Sequence, residues 1–132
     1  MNKLILIVDD NATNCKLVRD LVKAWGYDCI EAGDGEQAVN LALQKKPDVI
    51  LMDLRLPVMD GLTASKILKS DKIAKNIPII IITSSAMKGD SERVKAAGCD
   101  HYISKPFDIA ELRGLIQQCL SNSREKSSDN KN

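Results

Sequence analysis

The sequence has few aromatic residues and almost no net charge. Phenylalanine, tyrosine and tryptophan make up 3% of the 132 residues, although 44% are hydrophobic. The core must therefore be built mainly of Ile, Leu, Val and Ala, which suits helices stacked on a sheet. The 19 Lys and Arg residues against 18 Asp and Glu leave a formal charge of +1. The chain thus lacks the basic field of a nucleic-acid-binding protein, and we expect no nucleic-acid partner.

The sequence also lacks paired cysteines and long apolar runs. None of its 4 cysteines lies in a C-x-x-C pair, so zinc and thiol redox sites are disfavoured and a reducing cytosol is expected. The apolar run at 4–8 is too short to span a membrane, and two aspartates follow it where a signal peptide would continue. We expect a cytoplasmic protein with no membrane partner.

Short apolar runs alternate with longer amphipathic segments along the chain. The nearly continuous runs are typical of strands covered on both faces, and the longer segments have helical periodicity. Five repeats of this alternation predict an α/β fold, a parallel sheet with helices on both faces. Residues 1–120 are expected to form one domain, and 121–132, without any apolar residue, a disordered polar tail. The predicted strands are 4–8, 27–32, 48–52, 78–83 and 101–104.

Several helix ends are marked by capping residues. Asp34 with Gln37 and Asp108 with Glu111 have the spacing of capping boxes, which predicts the starts of the second and fifth helices. Gly26 is expected to cap the end of the first helix.

Polar residues follow four of the predicted strands at their carboxyl ends. Asp9 and Asp10 follow the first strand, and Asp53 follows the third. Thr83 ends the fourth strand, and Lys105 follows the fifth. Because open α/β sheets bind ligands beyond the carboxyl ends of their strands, we expect these side chains to converge on one site.

The chemistry of this predicted site follows from its charge. Two unit charges about 4 Å apart repel by roughly 4 kcal/mol at an effective dielectric near 20, so clustered carboxylates need a cation. An incomplete cage of oxygen ligands is typical of Mg²⁺. A carboxylate beside Mg²⁺ can attack a phosphoryl group, whose oxygens the metal, Lys105 and the Thr83 hydroxyl would stabilise. Alone, each residue has an ordinary role as a cap, a turn residue or a solvated charge; their convergence predicts a site.

These motifs resemble the receiver domains of two-component response regulators. The resemblance lies in VDD at 8–10, MDLRLPVMDG at 52–61, the strand end at Thr83 and KPF at 105–107, and it extends over 3–120. It implies the (βα)₅ flavodoxin-like fold, a doubly wound parallel sheet of order 2-1-3-4-5.

The resemblance implies a role for each site residue. Asp53 would be the phosphoacceptor, Asp10 a direct ligand of Mg²⁺, and Asp9 a ligand through water. The backbone carbonyl of Arg55 would be a further metal ligand. Lys105 would pair with the phosphoryl group.

It also implies a conformational switch. Thr83 would move toward the phosphoryl oxygen, and the Tyr102 ring would turn inward behind it. Pro106 would follow a cis peptide. Ser84 stands where alanine is frequent in the family, and Ser85, like Arg55, occupies a variable position that tunes the lifetime of the phosphate.

The implied function is that of a single-domain response regulator in a phosphorelay. A histidine kinase or histidine phosphotransfer protein would supply the phosphoryl group, whose charge of about −1.5 to −2 would change binding to a downstream protein. That protein would bind the face made by the fourth helix, fifth strand and fifth helix. The chain would catalyse its own phosphotransfer and autodephosphorylation without being a turnover enzyme. The VDDN opening and the TSSAMKGD stretch at 83–90 look closer to hybrid-kinase and stand-alone cell-cycle receivers than to DNA-binding regulators.

Two alternatives stay open: a phosphorylation-independent interaction module on a receiver scaffold, and a receiver fragment of a hybrid kinase. Other classes fit less well. The G-x-G-x-x-A pattern at 33–38 places Asp34 and Glu36 where a dinucleotide pyrophosphate would dock. A haloacid-dehalogenase phosphatase would need an acid at the position of Arg55. His101, the 1 histidine of the chain, is expected at a loop or strand edge rather than as a phosphodonor.

Overall fold

The apolar runs form a five-stranded sheet, and the amphipathic segments form helices around it. The computed structural model describes residues 2–83 and 87–129. Its strands are β1 (Leu4–Val8), β2 (Asp28–Ala32), β3 (Val49–Met52), β4 (Ile79–Thr83) and β5 (His101–Ser104). Its helices are α1 (Ala12–Ala24), α2 (Gly35–Lys45), α3 (Gly61–Lys69), α4 (Asp90–Ala96) and α5 (Ile109–Asp129), with a 3₁₀ turn at Ala74–Asn76.

The strand order is β2-β1-β3-β4-β5, with every neighbouring pair parallel. In the register of the sheet, Ile5 lies between Cys29 of β2 and Val49 of β3. The predicted fold class and strand order are therefore confirmed. Such a sheet directs all five carboxyl ends to one edge, which is where a ligand site is expected.

Two apolar cores cover the two faces of the sheet, because successive residues of a strand point to opposite sides. Ile5 and Ile7 face one core, and Leu6 and Val8 face the other. The first core is completed by α1 and α5, through Val18, Val22, Leu112, Ile116 and Cys119 among others. The second is completed mainly by α2 and α3, through Ala38, Ala42, Ala64 and Leu68 among others.

The predicted start of α2 is confirmed, with one difference in its hydrogen bonds. Asp34 accepts a hydrogen bond from the Gln37 N–H at 2.8 Å, as a capping residue does. The Gln37 side chain, however, accepts from the Gly33 N–H at 3.0 Å rather than from the N–H of the cap itself. Gly35 begins the helix where a β-carbon would collide with the carbonyl oxygen of Met59, so α2 packs directly against the segment before α3.

Helix α5 continues past the boundary that the sequence predicts. A disordered tail is expected from residue 121, yet the helix extends to Asp129. No glycine or proline follows Gly114, so nothing in the sequence terminates the helix near residue 120. Residues 130–132 lie outside the described residues, and the division of the chain into a domain and a tail stays a prediction.

Among residues 2–83 and 87–129, no helix is long and apolar enough to cross a membrane.

Candidate functional site

The first two acidic residues lie where β1 leads into α1. Asp9 continues the sheet, since its N–H donates to the Ala32 carbonyl at 3.1 Å, and its side chain is buried at 8% exposure. Its Oδ1 accepts a hydrogen bond from the Asn11 N–H at 2.9 Å. Asn11 is the N-cap of α1 and accepts from the Asn14 N–H at 3.0 Å. Because Asn11 supplies the cap, the exposed carboxylate of Asp10 is left for another role.

Asp53 follows β3 and is half-buried at the same edge of the sheet. Its N–H donates to the Val8 carbonyl at 2.9 Å, and its Oδ1 accepts from the Arg55 N–H at 3.3 Å. Burial and the nearby Asp9 charge raise the pKa of Asp53, while the Arg55 hydrogen bond and Lys105 lower it. Burial is the largest of these effects, so the ionised carboxylate is destabilised where it stands.

The three carboxylates form a cluster that fits a hard cation. Asp9, Asp10 and Asp53 each offer an oxygen, and these atoms lie within 4.8 Å of one another. Carboxylate oxygens with one exposed side are the donor set of Mg²⁺, which keeps several waters when bound to protein. The charge of Asp9 adds to the effect of burial in raising the pKa of Asp53, and a bound cation would offset both.

Lys105, which follows the edge strand β5, provides the positive charge of the site. Its Nζ lies 3.3 Å from Oδ2 of Asp9, and its side chain is 16% exposed. Its N–H donates to the Thr83 carbonyl at 2.8 Å, which ties the end of β5 to the end of β4. The Lys105–Pro106 peptide is cis, as the resemblance implies. Asp9, Asp10, Asp53 and Lys105 thus lie together at this edge of the sheet, and Thr83, which is 1% exposed, is joined to them through its backbone carbonyl.

Tyr102 lies on the same face of the sheet as Thr83. It is in register with Ile81, two residues before Thr83, and its ring packs against the core under α2, α3 and α4. Its hydroxyl is buried and has no hydrogen-bond partner among residues 2–83 and 87–129. Burial and then the charge of Asp90 raise the pKa of Tyr102. The ring is thus directed inward, whereas Ser84 and Ser85 lie outside the described residues.

Sequence reasoning missed a buried carboxylate next to this site. Asp90, the first residue of α4, is fully buried and accepts from the Met87 N–H at 2.7 Å and from Arg55 Nη2 at 3.0 Å. It also pairs with Arg93. The Met87 hydrogen bond, followed by the hydrogen bond of Arg93 and the charge of Arg55, lowers the pKa of Asp90. In the sequence, Asp90 is one more acid after a glycine, and no local pattern connects it with Arg55.

The geometry also bears on the alternative sites. The Asp34 carboxylate occupies the N-terminus of α2, where a dinucleotide pyrophosphate would have to dock. His101 begins β5 and is half-buried, as expected for a strand edge.

Five parallel strands in this order, with an acidic cluster and a lysine at their carboxyl ends, define a receiver fold. Residues 5–117 match the response regulator receiver domain family, and the chain belongs to that family. It is therefore a receiver domain of two-component signalling.

Among its relatives are the polar-differentiation response regulators DivK of Brucella ovis and Brucella melitensis, each 45% identical over 120 residues. The matched region covers 91% of this chain and 98% of each relative.

The solved receivers include that of a sensor histidine kinase from Pseudomonas aeruginosa, with a TM-score of 0.85 and 36% identity. That match covers 92% of this chain and 99% of the other, whose structure has a magnesium ion coordinated in the active-site cleft. The chemotaxis protein CheY4 of Vibrio cholerae matches with a TM-score of 0.84 and 28% identity, over 91% of this chain and all of that one (100%).

Proposed function

We propose that this chain accepts a phosphoryl group on Asp53 in a Mg²⁺ site and thereby switches its binding to another protein. The observation that carries the proposal is the cluster of Asp9, Asp10 and Asp53 with Lys105 against it. Bound Mg²⁺ would lower the negative charge at the transferring phosphoryl group. Asp9 and Asp10 would hold the ion together with Asp53, and the Arg55 carbonyl is the further ligand that the family resemblance implies.

The phosphoryl group would come from a phosphohistidine of a histidine kinase or phosphotransfer protein. An Asp53 oxygen attacks phosphorus, so a P–O bond forms while the P–N bond to the donor imidazole breaks. The imidazole leaves with the electron pair of that bond and takes up a proton. The ammonium group of Lys105 stabilises the charge on the phosphoryl oxygens, and the Thr83 hydroxyl donates to one of them. Water attack on the acyl phosphate would later regenerate Asp53.

The donor protein is proposed to dock on an apolar groove that continues from the site. The groove is formed by α1 and the segment after β5, and Lys105 lines both the groove and the acidic site. Its rim residues Leu17 and Ile109 are 53% and 51% exposed. Leu17→Ala should slow transfer from a histidine phosphotransfer protein without slowing transfer from acetyl phosphate. Leu43→Ala, an exposed leucine of α2, should slow neither.

Phosphorylation is proposed to act on the face of α4, β5 and α5, because Tyr102 lies there with a hydroxyl that has no hydrogen-bond partner in the described part of the chain. Coupling of this kind is typically worth about 1–3 kcal/mol, so partner affinity should change by roughly 5- to 150-fold. All 4 cysteines are free, which supports action in a reducing compartment such as the cytoplasm. The similarity to DivK along most of its length supports a stand-alone regulator.

The test is incubation with acetyl phosphate and Mg²⁺, followed by mass measurement of the intact protein. The wild type should gain one phosphoryl group, and the gain should disappear with EDTA and in Asp53→Asn. Asp20→Asn, which removes an exposed carboxylate of α1, should behave as the wild type. Equal incorporation in Asp53→Asn and the wild type would refute the proposal. Partner affinity unchanged by beryllofluoride would instead favour a phosphorylation-independent interaction module.

A further inference from the structure

Asp90 is a buried carboxylate outside the acidic cluster that has three hydrogen-bond donors. Its carboxylate is 1% exposed and accepts from Arg55, Arg93 and the Met87 N–H. Its lowered pKa shows that these donors stabilise the charged form. A buried carboxylate held by two arginines is sensitive to the loss of either, because the remaining charge is then less well compensated.

Arg55 is the residue that links this carboxylate to the site. Its N–H donates to Asp53 Oδ1 at 3.3 Å, while its guanidinium reaches Asp90 at the start of α4, with Nη2 3.0 Å from Oδ2. The Arg55 side chain is 41% exposed, so the guanidinium has room to reorient. One residue therefore contacts both the acceptor carboxylate and the first turn of α4.

A phosphoryl group on Asp53 would introduce a second anion within the reach of Arg55. That group carries a charge of about −1.5 to −2, against −1 for Asp90, and guanidinium binds phosphate oxygens in bidentate geometry. Arg93 and the Met87 N–H remain on Asp90, so the carboxylate keeps part of its compensation when Arg55 leaves. If Arg55 moves from Asp90 to the phosphoryl group, the first turn of α4 loses one of its contacts.

We propose that Arg55 is a positioning residue whose ion pair with Asp90 holds the first turn of α4, and that phosphorylation of Asp53 draws Arg55 away. The inference rests on the proposed function, since it needs a phosphoryl group on Asp53. The Tyr102 hydroxyl lies in the field of the same three charged groups, those of Asp90, Arg55 and Arg93. Release of the pair thus changes the surroundings of Tyr102 as well as those of α4.

The test is amide hydrogen exchange at Met87 and in α4, with and without Mg²⁺ and beryllofluoride. Arg55→Met should speed exchange of these amides about tenfold, because it removes a charged hydrogen bond that holds them. Beryllofluoride should speed the same amides by about tenfold in the wild type and much less in Arg55→Met, where the pair is already absent.

Two further variants make the result specific. Arg19→Met breaks another partly exposed pair, that of Arg19 Nη1 with Glu31 at 2.8 Å, and should leave α4 exchange as in the wild type. Asp90→Asn keeps Arg55 and removes the negative charge of its partner in the Arg55–Asp90 pair. It should speed α4 exchange as Arg55→Met does, while still gaining phosphate from acetyl phosphate on Asp53.

The outcomes separate this inference from the proposed function. Unchanged α4 exchange in Arg55→Met, or an equal response to beryllofluoride in that variant and the wild type, would overturn the coupling even if Asp53 is phosphorylated normally. If the wild type gains no phosphate, the proposed function fails and the coupling fails with it. Normal phosphate gain, faster exchange in both variants and a lost beryllofluoride response together would support the inference.

Discussion

Lys105 Nζ lies 3.3 Å from Asp9 Oδ2, although the two residues are 96 positions apart in the chain. The ion pair joins the ends of β1 and β5 across the rim of the sheet. Asp9 is buried at 8% exposure, so the lysine offsets a carboxylate that water solvates poorly. The same ammonium group would have to serve both Asp9 and an incoming phosphoryl group.

Replacing Lys105 should therefore separate metal binding from phosphoryl transfer. In Lys105→Met, Mg²⁺ should bind more tightly, because no ammonium group competes for the carboxylates. Phosphorylation by acetyl phosphate should be about 100-fold slower, since one stabilising donor to the transferring group is lost. Calorimetry with Mg²⁺ and the rate of phosphate gain give the two quantities. Lys23→Met, at an exposed lysine in the last turn of α1, is the control and should change neither.

Asp53→Asn should stabilise the metal-free protein at neutral pH by roughly 1 kcal/mol, the usual scale for relieving a functional site. The folded protein raises the pKa of Asp53 above its ordinary value of 3.8, so ionisation of this group opposes folding. The difference in the free energy of unfolding between Asp53→Asn and the wild type should be largest above the raised pKa of Asp53. It should shrink as the pH falls through that pKa and vanish below about pH 3.8. Urea unfolding of both proteins in EDTA between about pH 3 and 7, a range that brackets this titration, measures the difference. A stability difference between the two proteins that grows as the pH falls would contradict this prediction.

Magnesium should reverse that order of stabilities. A ligand that binds only the folded state stabilises by about 2.7 kcal/mol at 100 times its dissociation constant. Mg²⁺ should stabilise the wild type strongly and Asp53→Asn only slightly, because the variant lacks one of the three clustered carboxylates. Melting temperatures with Mg²⁺ and with EDTA provide the comparison. An equal gain in both proteins would place the ion elsewhere.

Gly61→Ala should destabilise the protein and slow phosphorylation. A β-carbon at Gly61 would collide with the carbonyl oxygen of Asp53, so the loop that carries the acceptor must shift. We expect a loss of about 2–3 kcal/mol in the free energy of unfolding, as for overpacked sites. Gly114→Ala is the matched control in α5: apart from the adjoining backbone of that helix, no atom of the described residues lies within 4 Å of its β-carbon position. It should stabilise by about 0.5–1 kcal/mol.

Val58→Asn should stabilise the protein by about 1 kcal/mol. Val58 has a φ of 66° and is 78% exposed, so a β-branched residue occupies the left-handed region without burying its side chain. Asparagine adopts that region more readily. Ile73→Asn, at a residue with φ of −89° and 60% exposure, should change stability by less than about 0.5 kcal/mol. Equal effects of the two substitutions in urea unfolding would show that backbone conformation is not the cause.

The strand ends were predictable because a parallel sheet converts distant positions into neighbours. Asp9, Asp53 and Lys105 each follow an apolar run, and knowing that the runs are parallel is enough to bring them to one edge. The cap of α1 was not predictable in this way, because Asp10 and Asn11 both have side chains that can cap a helix. Only the hydrogen bond that Asn11 accepts from Asn14 shows that Asn11, rather than Asp10, fills that position.

The pair of Arg55 and Asp90 could not be predicted in this way. Neither residue is part of a capping or strand pattern that identifies its partner, and 35 positions separate them. Their contact depends on where α4 begins relative to the loop after β3. The extent of α5 to Asp129 was not predicted either, because the polar composition after residue 120 argued for disorder while no helix-terminating residue was present.

The sequence by itself determined the order of strands and helices, the two-sided burial of the sheet and the residue types at its carboxyl edge. These depend on local periodicity and on a general rule about parallel sheets. Only the tertiary structure decided the burial of Asp90, its pairing with Arg55, and the Tyr102 hydroxyl's lack of a partner among the described residues. Such properties arise from distances between elements that packing brings together, and no pattern along the chain encodes those distances.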